Sequence, residues 1–546
     1  MCDLCNYLEF LFILSGYFSR LSPGRETFLA CTQFYYFMKR FLALALLAMG
    51  AFSACKKDSS PSDPASLTVS RSTLSVGTFT GYTDTFTVQS NLNWTITLSA
   101  GLSSWVTLDT MKGGSGNTVI KVSVSNNATA SQTGTITVSP VNNTSVSPQV
   151  ITVKQDVYSL VWQKAFGASS FDGILGVSLD TDGGYLFAGD NDKGWIFKTD
   201  VNGNKLWEYS TTAMDNMNDI IVAPDGGYVS VGRRLNIDPV SHGLKDQDVI
   251  VVKLNASGGV VWEKTFGGSA DDYGYKVIPA SDGGYIVSGS TYSGDRDVTT
   301  NRGGADMWLL KIDVNGNKVW QKTYGGSKYE SDAAIAKTAD GGYMLAGTTE
   351  SNDGDVSGNH GSWDMLVIKV DASGNKIWSK TFGGSGQDDA MSIVATKDGG
   401  YVIAGDAESN DGDVSGNHSS EFDYWVLKLD KDGQKIWQST FGGSDREVSY
   451  GVTATSDGNY VVTGFTFSKD GDVTGFHGGW DYWVVKVGSN GKKLWQKAFG
   501  GPGTDWPNAI TATADGSILT VGYSDMNGGD VTGITGYGKG WVVKLK

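Results

Sequence analysis

The chain has 546 residues, a net charge of −15 and a pI of about 4.7. That acidity excludes a nucleic-acid partner, whose phosphates need a basic surface. With 74 Gly, 17 Trp and only 10 Pro, the composition points to an all-β extracytoplasmic protein rich in turns. The cysteines are Cys2, Cys5, Cys31 and Cys55, so no disulfide can staple anything beyond Cys55, and stability must come from burial.

Residues 1–37 are rich in Phe, Tyr and Cys, show no period, and read as an upstream mis-start. From Met38 the sequence is MKRFLALALLAMGAFSAC, with Lys39 and Arg40 ahead of twelve apolar residues, Phe41 to Phe52. That run is too short to span a bilayer. Ser53 and Ala54 then offer small side chains just before Cys55. Residues 38–54 resemble a bacterial lipoprotein signal, with Phe52 departing from the usual Leu, and the resemblance implies lipidation of Cys55. Residues 55–66 form a polar tether. The stretch KKDSSPSDPAS is similar to lipoproteins of the Bacteroidetes, which implies an outer-membrane location, periplasmic or, preferably, surface-facing.

Residues 67–155 read as short alternating strands bounded by Gly, Asn or Ser, hence two sheets over one core. Trp94, Trp105, Gly113-Gly114, Gly116, Asn127, Thr133-Gly134-Thr135 and Val153-Lys154-Gln155 resemble the BACON domain. That family implies an Ig-like sandwich proposed to bind carbohydrate. Large aromatics dominate small cores, so Trp94 and Trp105 are read as core ahead of sugar platforms.

From residue 159 the chain repeats. A DGGY-like turn begins at Asp182, Asp225, Asp282, Asp340, Asp398, Asp457 and Asp515, spaced by 43 and then 57 to 59 residues. A Trp marker falls at Trp162, Trp207, Trp262, Trp320, Trp378, Trp437 and Trp495. Each unit offers four strands, so residues 159–546 predict a seven-bladed β-propeller. The fourth-strand sequence LVWQKAF stands alone at 160–166, and the last unit stops after its third strand at 541–546. The ring must therefore close by pairing these two, since otherwise both are left as open edges. The tight turns fall on one face and the long loops on the other, which is where a site belongs.

Two features mark that loop-rich face. An acidic residue precedes each turn by ten positions: Asp172, Asp215, Asp272, Glu330, Asp388, Glu447 and Asp505. It predicts either a carboxylate ring at the channel mouth or a backbone cap in every blade. Second, Asp353, Asp355 and Ser357 are followed by Asp364. Asp411, Asp413 and Ser415 precede Asp423, and Asp470, Asp472 and Thr474 precede Asp481. Asp295, Asp297 and Asp306 keep the spacing. These loops resemble the calcium loop of an EF-hand without its helices, and imply a calcium cofactor. The other reading is that each Asp makes only an Asx-turn. His360, His418 and His477 recur at one loop position and read as packing residues.

No motif marks a catalytic nucleophile. The leading expectation is a non-catalytic surface protein with a glycan or protein ligand and a membrane anchor. The alternative is a polysaccharide hydrolase or lyase with its site at the channel mouth. The irregular stretch with Arg233, Arg234 and His242 is the place to look for an odd blade. Replacing Cys55 with Ala should move the protein from the membrane fraction to the soluble one. Membrane association at the wild-type level would contradict the anchor.

Overall fold

The computed structural model describes residues 63–546, apart from 128–129, 169–171, 212–214 and 238–243. The signal-like segment, Cys55 and His242 lie outside the described residues. Every strand that follows alternates or runs apolar between Gly-, Asp- and Asn-rich turns, and the architecture is all-β.

Residues 67–155 form two sheets. One carries Leu67–Val69, Thr83–Ser90, Gly116–Val124 and Val106–Leu108 in spatial order. The other carries Thr73–Ser75, Gln149–Gln155, Gln132–Pro140, Trp94–Leu98 and Lys112–Gly113. Alternation drives one face of each strand inward, so Phe86, Val88, Ile120, Val122, Ile136, Val138, Ile151 and Val153 share one core. Trp94 is 0% and Trp105 8% exposed, so both are core residues. Gly113 is needed where it stands, because a Cβ there would lie 2.2 Å from the Trp94 ring.

The repeats give seven four-stranded antiparallel sheets among the described residues, and none closes on itself. We number them by their first strands: Gly173–Leu179, Asp215–Val222, Asp272–Pro279, Glu330–Lys337, Asp388–Ala395, Glu447–Ala454 and Asp505–Ala512. In the seventh, the outermost strand is Leu160–Phe166, paired antiparallel with Lys539–Leu545, Gln163 opposite Val543 and Phe166 opposite Gly540. The pairing ends with Ser159 and Lys546 exchanging backbone hydrogen bonds of 2.9 and 3.0 Å.

The first strands of all seven sheets line one cavity of about 240 Å³. Most of them carry a register shift near the middle, for example between Met217 and Asp219, Gly274 and Lys276, and Pro507 and Ala509. Such bulges bend a strand and re-aim its side chains. On the outer side, six of the seven marker tryptophans pack on the turn glycine of the following sheet, while Trp495 packs on Tyr158. A Cβ on Gly316 would lie 3.0 Å from Trp262, and one on Gly433 2.4 Å from Trp378. Both glycines have positive φ, so turn geometry and contact demand the same residue.

The sandwich docks on the sixth sheet. Leu494, 3% exposed, joins the sandwich core, while its equivalents Leu206, Val261, Val319, Ile377 and Ile436 are 54–58% exposed. Around it, Thr78 donates its amide to the Leu494 carbonyl at 2.9 Å and Asn490 donates to Asp84 at 3.2 Å.

Deleting residues 541–546 removes Trp541, Val542, Val543 and Leu545, all at most 1% exposed, and strips the Leu160–Phe166 strand of its partner. The loss should exceed about 5 kcal/mol at roughly 1.5–3 kcal/mol per buried side chain. Thermal denaturation should show a lower, broader transition; an unchanged melting curve would contradict the pairing.

Candidate functional site

The seven acidic residues ahead of the turns are buried, none more than 2% exposed, so they form no open carboxylate ring at a mouth. A lone buried carboxylate is costly unless N–H and O–H groups satisfy it. Here each sheet junction supplies them. Asp388 accepts the Gly384 amide at 2.7 Å and the Ser409 hydroxyl at 2.6 Å. Glu330 accepts from Gly326 at 2.8 Å and Thr349 at 2.6 Å. Glu447 accepts from Gly443 at 2.8 Å and Thr466 at 2.6 Å. Asp272 and Asp505 take the amides of Gly268 and Gly501, both at 2.7 Å. In the first two sheets a cation replaces the amide: Lys539 lies 3.0 Å from Asp172, and Arg234 3.0 Å from Asp215. The recurring acid is the cap.

The calcium-like loops hold their carboxylates apart. Asp295, Asp353, Asp411 and Asp470 turn to the preceding sheet and accept the amides of Ser269, Ser327, Ser385 and Ser444 at 2.7–2.8 Å. Asp355 pairs with Lys376 at 2.6 Å and Arg302 at 2.9 Å. Asp297, Asp413 and Asp472 pair with Lys318, Lys435 and Lys493. Ser415 and Thr474 hydroxyls accept from Gln438 and Gln496 at 2.7 and 2.6 Å, and the Ser357 carbonyl accepts from Thr381 at 3.0 Å. Asp306, Asp364, Asp423 and Asp481 are fully buried beside the caps. Among the described residues no three His, Cys, Asp or Glu side chains are arranged to hold a metal ion. The second carboxylate of each loop is thus neutralised by a lysine ammonium group.

Sequence reasoning missed the role of the recurring histidines. His360 Nδ1 lies 2.8 Å from Asp364, His418 Nδ1 2.5 Å from Asp423, and His477 Nδ1 3.0 Å from Asp481. On the other ring edge, His418 Nε2 lies 3.8 Å from Asp472 and His477 Nε2 3.7 Å from Asp530, each in the next sheet. These rings bridge neighbouring loops, and Arg302 holds the same place one sheet earlier.

Beside these constant positions the repeats diverge. Tyr275, Tyr273, Tyr292, Tyr329 and Trp363 form a chain of ring contacts with centroids 6.0–6.5 Å apart. A second group centres on Trp480, which lies 4.8 Å from Phe465, 5.1 Å from Phe467 and 4.9 Å from Trp506; Tyr450 is 5.7 Å from Trp506. Tyr292 is 42% exposed, and Tyr329, Trp363, Trp480 and Trp506 are half-buried. Polar groups border the first chain. Arg233 donates to Gln247 at 3.1 Å, Gln247 donates to the Tyr273 hydroxyl at 3.3 Å, and that hydroxyl donates to Asp271 at 3.3 Å. All of these residues lie at first-strand starts, second-strand ends, third-strand starts or the long loops. This is the loop-rich face, and Arg233 is one of the irregular residues singled out above.

No family model matches the chain. Regulatory protein FlaEY of Caulobacter vibrioides is 25% identical over 305 residues, which cover 50% of this chain and 31% of that protein. The chain thus spans about a third of that relative's length. Among solved structures, virginiamycin B lyase of Staphylococcus aureus is similar at 11% identity and a TM-score of 0.42, covering 71% of this chain and 99% of its own. BamB of Moraxella catarrhalis is similar at 12% identity and a TM-score of 0.37, covering 71% and 100%. The WD40 β-propeller domain of Doa1 is similar at 12% identity and a TM-score of 0.42, covering 71% and 97%.

Burial pushes the Asp272 carboxyl up to about 6 and those of Glu447 and Asp505 up to about 7. The native state therefore keeps protons that the unfolded chain, titrating at roughly 4, has lost. Stability should fall as pH rises from about 4 to about 7 and then level off. Lys369 holds Asp340 at about 2, and Lys428 outweighs burial to hold Asp398 at about 2. These pairs lose stability as pH falls from roughly 4 to 2. Melting temperature should peak near about pH 4–5, and Glu447→Gln should flatten part of the decline above it. A melting temperature that rises steadily from pH 5 to 8 would contradict the buried caps.

Proposed function

We propose that this is a non-catalytic, lipid-anchored surface protein that binds an extended glycan across the aromatic groups of its loop-rich face. In this reading Cys55 carries the lipid at the outer membrane and the Ig-like, BACON-type sandwich is a spacer. The seven sheets are the blades of a propeller closed by its two terminal strands. The observation that carries the binding role is the aromatic departure from the repeat. Positions that are Gly, Ser, Ala or Asn in some blades become Tyr273, Tyr275, Tyr450 and Trp506 in others. A blade needs none of these rings to fold, since its neighbours fold without them. Broad aromatic faces edged by hydroxyl, amide and guanidinium groups suit sugar rings, which have apolar faces and polar edges.

The enzyme reading has one foothold. Asp389 and Asp406 stand opposite each other in the fifth sheet. They are 8% and 2% exposed, and the Thr348 hydroxyl donates to Asp389 at 2.8 Å, which leaves a glycosidic bond no route to the pair.

A glycan-array screen of residues 56–546, followed by calorimetry on each hit, tests the binding role. Trp506→Ala and Tyr292→Ala should each weaken binding by roughly tenfold, the scale of one lost aromatic contact. Asp353→Ala should change it less than about twofold, since that side chain serves its loop. No reducing ends should be released. Failure of every glycan to bind, or equal affinity of the aromatic variants, would refute the proposal.

A further inference from the structure

The cavity enclosed by the first strands carries one charged pair. At the position four residues past each cap, five repeats have Gly, Ala or Ser, while the second and third have Asp219 and Lys276. The small residues leave room beside the pair in walls that are otherwise mostly aliphatic, Ile220, Val277 and Ile335 among them. Asp219 is 14% exposed and accepts the Val277 amide at 3.0 Å through Oδ2. Its Oδ1 faces Lys276 Nζ across 3.7 Å, beyond hydrogen-bond length, and the Lys276 side chain is 32% exposed. Burial raises the Asp219 carboxyl above its ordinary range.

An acceptor and a donor held apart in a cavity that also carries Ser178, Ser392 and Asn508 match the two edges of a vicinal diol. One hydroxyl donates to Asp219 Oδ1, and its neighbour accepts from Lys276 Nζ. Both hydrogen bonds are charge-assisted, the stronger kind. Tyr450 lines the same cavity and offers a ring face. An anionic sugar is disfavoured by the Asp219 carboxylate and by a chain of net charge −15. At about 240 Å³ the space lies below the roughly 300–1,000 Å³ of pockets for drug-sized ligands, so it takes one sugar unit and no more.

We propose that Asp219 and Lys276 form a subsite for one neutral sugar with vicinal hydroxyls, the terminal unit of the glycan that lies on the aromatic face. This rests on the glycan-binding reading above. The test uses the full chain in detergent, saturation-transfer NMR and calorimetry, and four probes: glucose, galactose, mannose and an oligosaccharide found by the array. At least one monosaccharide should bind the wild type. Lys276→Met should weaken it by roughly tenfold or more, the scale of one charge-assisted hydrogen bond. Tyr292→Ala should keep monosaccharide binding while losing oligosaccharide affinity. Lys276→Gln serves as a second variant if Lys276→Met melts early. Binding of none of the three monosaccharides, or wild-type affinity in both Lys276 variants, overturns the subsite. The aromatic-face reading survives that result if the oligosaccharide still binds and Tyr292→Ala still weakens it. If the oligosaccharide fails as well, both fall.

Discussion

In six of the seven sheets one buried carboxylate fastens the sheet to the one before it, and the rest of the molecule is arranged around that contact. Asp388 shows how it works. Its carboxylate takes the Gly384 amide from just past the end of the fourth sheet and the Ser409 hydroxyl from the loop after its own second strand. Gly383 must lack a side chain, because a Cβ there would lie 2.5 Å from Asp364 and 2.9 Å from Asp388. The Gly-Gly pair, the acid and the hydroxyl are thus one device spread over two sheets. On the outer side of the same junction, Trp378 packs on Gly433 and Lys380 donates to the Gly433 carbonyl at 2.7 Å. With both edges secured by constant residues, the first-strand starts and long loops can vary without loss of the fold.

That division explains what could be read from the sequence. Repeat number, hairpins and the pairing of the terminal strands follow from spacing, and spacing is visible directly in the chain. The acid ten residues before each turn was equally visible, but its role was not. Whether such a carboxylate faces solvent or a glycine amide depends on the turn that closes the previous sheet. The calcium-like spacing is likewise a local pattern that leaves out the partners of its carboxylates. Lys376 and Arg302, which neutralise Asp355, come from a later strand and an earlier loop, so local spacing carries no trace of them. The aromatic groups were hidden most completely. Tyr273, Tyr329 and Trp363 are far apart in sequence and meet only because successive sheets stand side by side.

The docking of the sandwich obeys the same logic of departure from a repeat. In six sheets the apolar residue before the marker Trp stays exposed, and only at Leu494 is it covered. The covered sheet also lacks the Asp or Asn that caps this turn in the others, with Gly488 where they have Asn255, Asp313 or Asp371. Asp313 and Asp371 cap their own turns through Asn317 and Asn375. Here Lys492 replaces that Asn and donates to the Thr83 carbonyl of the sandwich. Asn459 adds a 2.9 Å hydrogen bond to Ser75. These contacts come from tight turns, at the strand ends opposite the aromatic groups. The sandwich and the proposed binding face therefore occupy different ends of the sheets.

The central claim is that constant residues build the ring and the aromatic departures do the binding. Hydrogen–deuterium exchange of the chain, with and without a bound oligosaccharide, tests it most directly. The account predicts protection in peptides carrying Tyr292, Tyr329, Trp363, Trp480 and Trp506, extending to those with Asp219 and Lys276 where the glycan's end enters the cavity, with the sandwich unchanged. Protection confined to residues 67–155, or to the tight turns at the opposite strand ends, would contradict it.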